Sequence, residues 1–272
     1  MSRKFQCKAV PSTWLENNGR RLDCGPYLSG AIEARELLRN HKTEPLQTLT
    51  DGPNGGIYNG PQFVRNYVVD PSYGVPFLTT STMLQAELSN LPIISRKDAH
   101  SPKLSFLRVE EGMTLITCSG NIGRMSFSRK EMKGCWSNQD IMKVVANCSK
   151  ILPGYLYAFL SSRFGLPIVI SGTYGAVIQH IEPHHIANLP VPRLGKVEDQ
   201  THNLIQQAAD ELSESSSLMQ KATATLFTSY GLRDSEDHIY LSDNKRQGWV
   251  ESKFNSFTLR AMNYDPRAKI LW

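Results

Sequence analysis

Hydrophobic residues are most regularly spaced toward the C-terminal end of the chain, where small and apolar side chains recur at alternating steps of three and four. The positions are Ile205, Ala208, Leu212, Ser215, Met219, Ala222 and Leu226. This heptad pattern is typical of a helix that packs along one stripe against another helix. No Gly or Pro occurs from residue 198 to residue 227, so the pattern predicts an unbroken helix of roughly 45 Å. Two alanines and a serine make the stripe thin, and we expect its partner to be a copy of itself or a similar helix.

The signals at both ends of this helix agree with the pattern. Glu198 and Asp199 place negative charge at the positive N-terminal end, and Gly231 follows as a C-terminal stop. The proline-marked segment Asn188-Leu-Pro-Val-Pro-Arg-Leu-Gly195 precedes the helix. We therefore expect a globular domain before the helix and a spacer role for the helix itself.

The part before the helix favours β-structure with long loops. Stretches rich in β-formers are strand candidates, at 63–69, 74–80, 113–118, 124–128, 140–146 and 176–181. Residues 29–40 predict a short amphipathic helix with apolar positions at 32, 37 and 38, and 153–164 predict an aromatic helix that starts near Pro153. An extended region is expected from Leu46, and residues 1–30 are expected to be irregular. The fold class is therefore α/β (mixed α+β), a β-rich domain followed by a long coiled-coil-forming helix.

The composition is that of an ordinary intracellular protein and narrows the range of functions very little. The chain has 272 residues, a formal charge of +5 and 40% hydrophobic residues, and its pI near 8.9 permits nucleic-acid binding without requiring it. Its five scattered cysteines lack a C-x-x-C pair and indicate reduced thiols. No apolar run reaches the roughly 20 residues that cross a bilayer, and the first residues lack the apolar core of a signal peptide. We expect a soluble, cytoplasmic protein.

Motifs for catalysis are scarce. Neither G-x-G-x-x-G nor the P-loop pattern occurs, and the Asn/Asp-Pro-Pro-aromatic element of adenine methyltransferases is missing. His180 and His184 are four apart, but Pro183 interrupts a helix between them, so we expect no metal site. Glu251 and Lys253, with acidic residues upstream, leave one enzymatic alternative, a Mg²⁺-dependent nuclease.

Polar loops between the predicted strands are the better candidates for binding. Ser119-Gly-Asn-Ile-Gly123 combines flexible glycines with hydrogen-bonding side chains, and Arg124 adds charge. The stretch 79–82 is rich in hydroxyl groups, and Thr173 with Tyr174 lies between two glycines. Asn138 and Gln139 are amides of the type that pair with adenine in the major groove. The glycine loops at 119–123 and 172–175 are equally compatible with ordinary turns, exposed Ser/Thr runs such as 79–82 are usually just solvated, and the two amides read bases only if they face the groove.

The order of these pieces along the chain resembles one family. Gly74-Val-Pro-Phe-Leu-Thr, Glu111-Gly-Met-Thr-Leu-Ile-Thr-Cys-Ser-Gly-Asn-Ile-Gly123 and Ser137-Asn-Gln-Asp-Ile-Met142 are followed by Pro153-Gly-Tyr-Leu-Tyr-Ala-Phe-Leu160. The Gly172-Thr-Tyr-Gly175 turn and the Leu-Pro-Val-Pro segment before the long helix complete the series. Over about residues 45–228 this layout resembles a target-recognition domain, with its conserved helix, from the DNA specificity subunit of Type I restriction–modification systems.

The resemblance implies a domain organisation and a set of partners. It predicts a recognition domain over 1–195, a spacer helix over 196–230, and over 231–272 a linker and the start of a second, incomplete recognition domain. The function implied is non-catalytic recognition of one half of a bipartite site on double-stranded DNA. Implied partners are methyltransferase subunits and a second half-subunit or copy bound through the long helix. Whether a restriction or translocase subunit also binds is left open by the resemblance. No cofactor is expected on this chain, because S-adenosylmethionine would bind the methyltransferase partner.

The resemblance also turns the polar loops into candidate DNA contacts. The residues that it implies are Thr80, Ser81, Arg96, Lys97, Ser119, Asn121, Arg124, Asn138, Gln139, Thr173 and Tyr174. Arg65, Lys103 and Arg129 are further candidates for phosphate contacts. The alternatives that remain are the nuclease and a coiled-coil adaptor without DNA contact.

Overall fold

The computed structural model describes residues 7–17, 20, 22–172 and 180–230. Its contacts divide the chain into two compact units, residues 1–216 and residues 217–272. The first unit contains the sheets and most of the helices. The described part of the second unit is residues 217–230, which belong to the long helix.

Helices and strands occur in groups along the described chain. The α-helices are α1 (Ser12–Asn17), α2 (Gly25–Leu28), α3 (Ala31–Leu38), α4 (Arg96–Ala99), α5 (Pro153–Ser161), α6 (Gly165–Ser171), α7 (Pro183–Ile186) and α8 (Lys196–Tyr230). The strands are β1 (Thr43–Pro45), β2 (Ile57–Tyr58), β3 (Gly74–Leu78), β4 (Ile93–Ser95), β5 (Thr114–Thr117), β6 (Met125–Phe127), β7 (Trp136–Ser137), β8 (Ile141–Val144) and β9 (Pro190–Pro192). Short 3₁₀-helices occupy Leu46–Thr48, Pro53–Gly56, Pro71–Tyr73, Thr82–Leu84, Pro102–Leu107 and Lys130–Met132.

The strands of the described residues form three small sheets. A four-stranded antiparallel sheet has the order β2-β8-β5-β6, and a three-stranded sheet has the order β4-β3-β7. In the three-stranded sheet β3 and β7 are parallel, with Phe77 opposite Trp136, whereas β3 and β4 are antiparallel. The remaining pair joins β1 to β9 at the exit from the domain.

The central strands β5 and β8 of the larger sheet are buried on both faces, as strands covered on both sides are. Because successive side chains point to opposite faces, Ile116 and Met142 pack into a core with helices α3, α5 and α6. Leu115 and Ile141 pack on the other side, in a core that includes Leu78 from the second sheet. The fold therefore has a helical layer, a sheet and a second sheet.

Several elements predicted from the sequence are confirmed. Strands β3, β5, β6 and β8 lie within the stretches 74–80, 113–118, 124–128 and 140–146. Helix α3 lies within 29–40 and α5 within 153–164, and Pro153 occupies the first turn of α5. The buried face of α3 differs from the predicted one, which included position 37. Leu37 is exposed, and Ala34 is buried instead.

Other elements were predicted wrongly or missed. The stretch 63–69 contains no strand, and its single bridge joins Tyr67 to Ile94. The region after Leu46 begins as a 3₁₀-helix, and residues 1–30 contain α1 and α2. Helix α6 was missed, although Gly165 has a structural role in placing it: an added Cβ would lie 2.2 Å from the Phe159 carbonyl oxygen. Strand β9 was missed because its prolines suggest a loop, yet prolines are compatible with an edge strand.

Candidate functional site

Three of the predicted binding loops lie side by side at one end of the two larger sheets. The backbone N–H of Asn138 donates to the Leu78 carbonyl at 2.8 Å, and that of Cys118 donates to the Asp140 carbonyl at 2.9 Å. These two bonds join residues 79–82, 118–124 and 137–140, which we call the loop cluster.

Strand direction explains why these loops meet. Because β3 and β7 are parallel, the residues that follow both strands leave at the same end. Because β5 and β8 are antiparallel, with Thr117 opposite Ile141, the loop after β5 lies beside the residues that precede β8. Segments more than 50 positions apart in the sequence thus share one edge.

In the first loop, hydroxyl groups bond to one another and hold the turn. The Thr79 hydroxyl lies 3.0 Å from that of Ser81 and 3.1 Å from that of Thr82, and the Thr82 hydroxyl accepts from the Thr79 backbone N–H at 2.8 Å. Ser81 is exposed at the outside of this turn, and Thr80 is half-buried. The network makes the loop a fixed platform for these two side chains.

The second loop is braced by Thr117, at the end of β5. Its hydroxyl donates to the Asn121 carbonyl at 2.5 Å and accepts from the Arg124 backbone N–H at 3.0 Å. The close packing requires Gly123, whose φ is +82° and where an added Cβ would lie 2.6 Å from Ile170 Cγ2. Asn121 and Arg124 are exposed, and they border a cleft of 750 Å³ that also contacts Gly25 and Ser29. Two polar side chains thus project from a constrained backbone.

The third loop contains an amide pair with different roles. Asn138 is only 8% exposed, and its Oδ1 accepts from Arg65 Nη2 and from the Asp140 backbone N–H, both at 3.2 Å. Gln139 is half-buried, and its Oε1 accepts from the same Arg65 nitrogen at 3.1 Å. The oxygen of Asn138 therefore shapes the loop and holds an arginine, a role that its residue type alone does not indicate.

Two of the predicted cationic residues lie away from the loop cluster. Arg96 and Lys97 begin α4, directly after Ser95, which pairs with Gly74 at the opposite end of β3. Arg96 donates to the Gly74 carbonyl from Nη2 at 3.1 Å, and Lys97 is exposed. Arg96 and Lys97 therefore lie near the start of β3, and the loop cluster lies beyond its end.

Arg129 does not fit the phosphate contact expected from its charge. Its side chain is 6% exposed and pairs with Glu131 at 2.8 Å, while Nη2 donates to the carbonyls of Gln85 and Ala86 at 3.1 Å. All three partners belong to the same chain, so the guanidinium holds loops together. Lys103, by contrast, is exposed.

The fourth predicted loop is described only at its flanks. Thr173 and Tyr174, and most of the predicted strand 176–181, lie outside the described residues. The chain is described again from His180, which forms a bridge with Ser119, and Ile181 donates its N–H to the Cys118 carbonyl at 3.1 Å. The flank of this segment is thus adjacent to the loop cluster. Gly231, Glu251, Lys253 and the rest of the incomplete second domain predicted over 231–272 also lie outside the described residues.

A buried lysine lies directly behind the loop cluster. Lys143 of β8 is 0% exposed, and its Nζ donates to Ser137 Oγ at 2.6 Å. Burial lowers its pKa to about 7, and the nearby Cys118 opposes that shift. Burial likewise raises the pKa of the Cys118 thiol to about 11. Since Ser137 and Lys143 are both fully buried, their proximity supports the sheet interface and does not form an accessible reactive site.

In residues 196–216, helix α8 uses one face to pack on the domain. The domain-facing residues are Glu198, His202, Ile205, Ala209 and Ser213, which are buried or half-buried. Ser213 donates to the Glu131 carboxylate, and Asp210 pairs with Lys130 at 3.2 Å. Of the predicted stripe, Ile205 is half-buried on this face, and Ala208 and Leu212 line a cleft together with domain residues.

The stripe itself remains exposed. Ala208 and Ser215 are exposed and Leu212 is 40% exposed, although Leu212 also borders a 270 Å³ cleft against Met125 and Tyr157. In the second unit Met219 is 58% and Leu226 50% exposed, and Ala222 is exposed as well. From Ser215 to Leu226 the described residues leave the stripe uncovered, which is what packing of a second helix requires.

The start of α8 is fixed to the domain by an ion-pair network around Arg193. Its Nη1 lies 2.8 Å from Glu44 of β1, and its Nη2 lies 3.1 Å from Glu198 in the first turn of α8. Glu198 also accepts from the Leu194 backbone N–H at 2.6 Å. The hydrogen bond to Glu198, opposed in part by burial, raises the pKa of Arg193 above its ordinary value. The first turn is therefore held relative to the β1–β9 pair.

Metal and membrane signals are weak in the described part of the chain. Among the described residues, no group of three His, Cys, Asp or Glu side chains could hold a metal ion. His185 belongs to the N-terminal cap of α7, where its Nδ1 accepts from the Glu182 backbone N–H at 2.9 Å. No described helix combines the length and the apolar character needed to cross a membrane.

The chain matches solved structures from Type I restriction–modification systems over part of their length. The S subunit from M. genitalium matches with 13% identity and a TM-score of 0.45, over 75% of this chain and 49% of that one. The HsdS subunit from Thermoanaerobacter tengcongensis matches with 14% identity and a TM-score of 0.42, over 85% and 55% of the two chains.

A third match comes from a structural study of complex assembly and conformational transition of the type I R-M system, with 15% identity and a TM-score of 0.42 over 85% and 56% of the chains. This chain thus spans about half the length of the solved structures that it matches. No protein-family model and no curated protein matches the sequence.

Proposed function

We propose that this chain is a sequence-specific, non-catalytic DNA-recognition subunit of a Type I restriction–modification system or a related methylation-based defence complex. The observation that carries the proposal is the convergence of the loop cluster. Three polar loops from distant parts of the sequence meet at one edge, each on a braced backbone. Direct recognition of bases requires hydrogen-bonding side chains on such rigid supports.

In this proposal the exposed side chains of the loop cluster contact base edges. Ser81, Asn121 and Arg124 are exposed, so hydroxyl, amide and guanidinium groups are available together. Arg96, Lys97 and Lys103 are exposed cations outside the loop cluster, and they supply contacts to phosphates that set orientation without specifying sequence.

The long helix supplies spacing and assembly. Its docked face ties residues 196–216 to the recognition domain, and its exposed stripe binds a second copy of this chain or a similar half-subunit. Methyltransferase subunits, and in restricting complexes a restriction or translocase subunit, bind alongside in the cytoplasm. Methyl transfer from S-adenosylmethionine then belongs to the methyltransferase partner.

The proposal is tested by selection of sequences bound from a random pool of duplex DNA. The wild-type chain should enrich a defined motif, and Asn121→Ala with Arg124→Ala should erase preference at some positions of it. A matched control removes the same residue types after α3, as Arg39→Ala with Asn40→Ala, both exposed, and should retain the whole motif. Random recovery by the wild type would refute the function, and an unchanged motif in the loop variant would refute the role of the second loop.

A further inference from the structure

We infer that Arg65 is a specificity-determining residue that recognises a guanine, and that Asn138 and Gln139 are the residues that position it. This inference rests on the proposed function, since it names the base that one part of the loop cluster selects. It also revises the expectation from sequence, in which Arg65 contacts phosphate and the two amides contact adenine.

Two amide oxygens of the loop cluster hold the Arg65 side chain. Nη2 donates to Asn138 Oδ1 at 3.2 Å and to Gln139 Oε1 at 3.1 Å. The guanidinium carbon lies 5.8 Å from the centre of the Phe77 ring, and Phe77 is fully buried in β3. An exposed arginine normally samples many rotamers, so these contacts pre-orient a side chain that would otherwise lose entropy on binding.

The charge of Arg65 is held in place without being neutralised. Both of its partners are neutral amides, and no carboxylate of the described residues pairs with it. Two other arginines of the domain differ in this respect: Arg108 pairs with Glu110 at 2.9 Å, and Arg129 pairs with Glu131 at 2.8 Å. Arg65 therefore offers a full positive charge at a defined place.

The unused donors suit a guanine. Within the described residues Nη1 and Nε of Arg65 have no protein acceptor, and the side chain is exposed. Guanine presents two acceptors in the major groove, O6 and N7, and arginine is the side chain that most often contacts them. A phosphate contact needs only a flexible cation, whereas a base contact gains from a fixed orientation.

The amides consequently act through Arg65. Asn138 Oδ1 accepts from both Arg65 and the Asp140 backbone N–H, so it has no free lone pair for adenine, and Gln139 Oε1 is directed to Arg65. Their substitution should therefore alter the preference for the base that Arg65 contacts and leave other positions of the motif unchanged.

The inference is tested by the same selection from random duplex DNA, followed by affinity measurements on single-base variants of the enriched motif. Arg65→Ala should reduce discrimination for guanine at one position by roughly 10- to 100-fold, and the other positions should stay as in the wild type. Gln139→Ala should weaken discrimination at that same position. Arg65→Lys keeps the charge but lacks the planar fork, so it should not restore the preference.

Outcomes separate this inference from the proposed function. Equal weakening by Arg65→Ala on every sequence, with a shallower salt dependence, would identify a phosphate contact and overturn the inference. A matched control is Arg163→Ala, an exposed arginine over the Phe164 ring at 4.9 Å; the same relaxation in that variant would also overturn it. A wild type without any motif would instead contradict the proposed function. Because Arg65 is exposed, unchanged melting temperatures are expected for its variants and are measured alongside.

Discussion

Lys143 shows how an ionisable side chain is accommodated in the core behind the loop cluster. Its Nζ donates a hydrogen bond to Ser137 Oγ at 2.6 Å and lies 5.8 Å from the centre of the Tyr58 ring. A buried cation with neutral partners is expensive, so burial lowers its pKa to about 7. In the unfolded chain the same group has its ordinary pKa of about 10.4.

This difference predicts a pH-dependent stability. Between about pH 7 and pH 10 the unfolded chain binds a proton at Lys143 that the folded chain does not, so the free energy of unfolding rises with pH. Chemical denaturation of the wild type and of Lys143→Met across this range measures the effect. The free energy of unfolding of the wild type should rise relative to that of the variant by up to about 1.4 kcal/mol per pH unit. A difference that stays constant with pH would show that Lys143 is not deprotonated in the folded protein.

At the scale of elements, the contact between α5 and α8 depends on a glycine. An added Cβ at Gly154 would lie 2.7 Å from His202 Nδ1, 2.9 Å from its carbonyl oxygen and 3.1 Å from its Cα. The backbone N–H of Gly154 also donates to His202 Nδ1 at 3.2 Å. A side chain at this position would force the two helices apart.

We therefore expect Gly154→Ala to destabilise the domain by roughly 1–3 kcal/mol, as overpacking against backbone does. Gly25→Ala is the matched control, because its Cβ would meet only Asp23 Oδ2 at 3.5 Å, an ordinary contact. Denaturation midpoints of the two variants measure the difference. Equal stability of the two variants would show that α8 can move away from α5 without a loss in the free energy of unfolding.

The exposed stripe of α8 leads to a second prediction at this scale. If Met219 and Leu226 pack against another helix, Met219→Glu with Leu226→Glu should weaken self-association by about 100-fold or more, because two unpaired carboxylates would be buried. Lys221→Glu changes the charge of an exposed residue on the opposite side of the helix, given about 3.6 residues per turn, and should leave association intact. Sedimentation equilibrium measures the association of both variants. Unchanged association in the double variant would show that the stripe is not part of the interface.

At the scale of the whole molecule, Arg193 joins the recognition domain to the start of α8. It contacts Glu44, Glu198 and the Lys150 carbonyl, the last at 2.9 Å. Strand, loop and helix therefore share one guanidinium.

Removing this guanidinium should leave Glu198, which is 10% exposed, without its main partner. We expect Arg193→Met to reduce stability by roughly 2–4 kcal/mol and to speed hydrogen exchange in the first two turns of α8. Adding Glu198→Gln should recover part of the loss, because the buried carboxylate is then removed as well. Exchange rates equal to those of the wild type would show that the first turn is held by apolar packing alone.

Part of this architecture could be predicted from local sequence, because periodicity is a local property. The heptad spacing predicts α8, and the apolar runs predict β5 and β8, which are buried on both faces. The glycines around Asn121 likewise indicate a loop. Strand β9 could not be predicted in the same way, since Pro190–Pro192 becomes a strand only by pairing with Thr43–Pro45.

The sequence by itself determined the long helix, most central strands, the polar character of the loops and a family resemblance. Tertiary structure alone decided which loops meet, since that depends on pairings such as Phe77 with Trp136 across almost 60 positions. It also decided which polar groups are available: Arg129 and the Asn138 oxygen bond within the chain, whereas Arg65 and Asn121 remain exposed. The physical reason is that hydrophobic periodicity is encoded within each segment, whereas the environment of a polar side chain is set by segments distant in sequence.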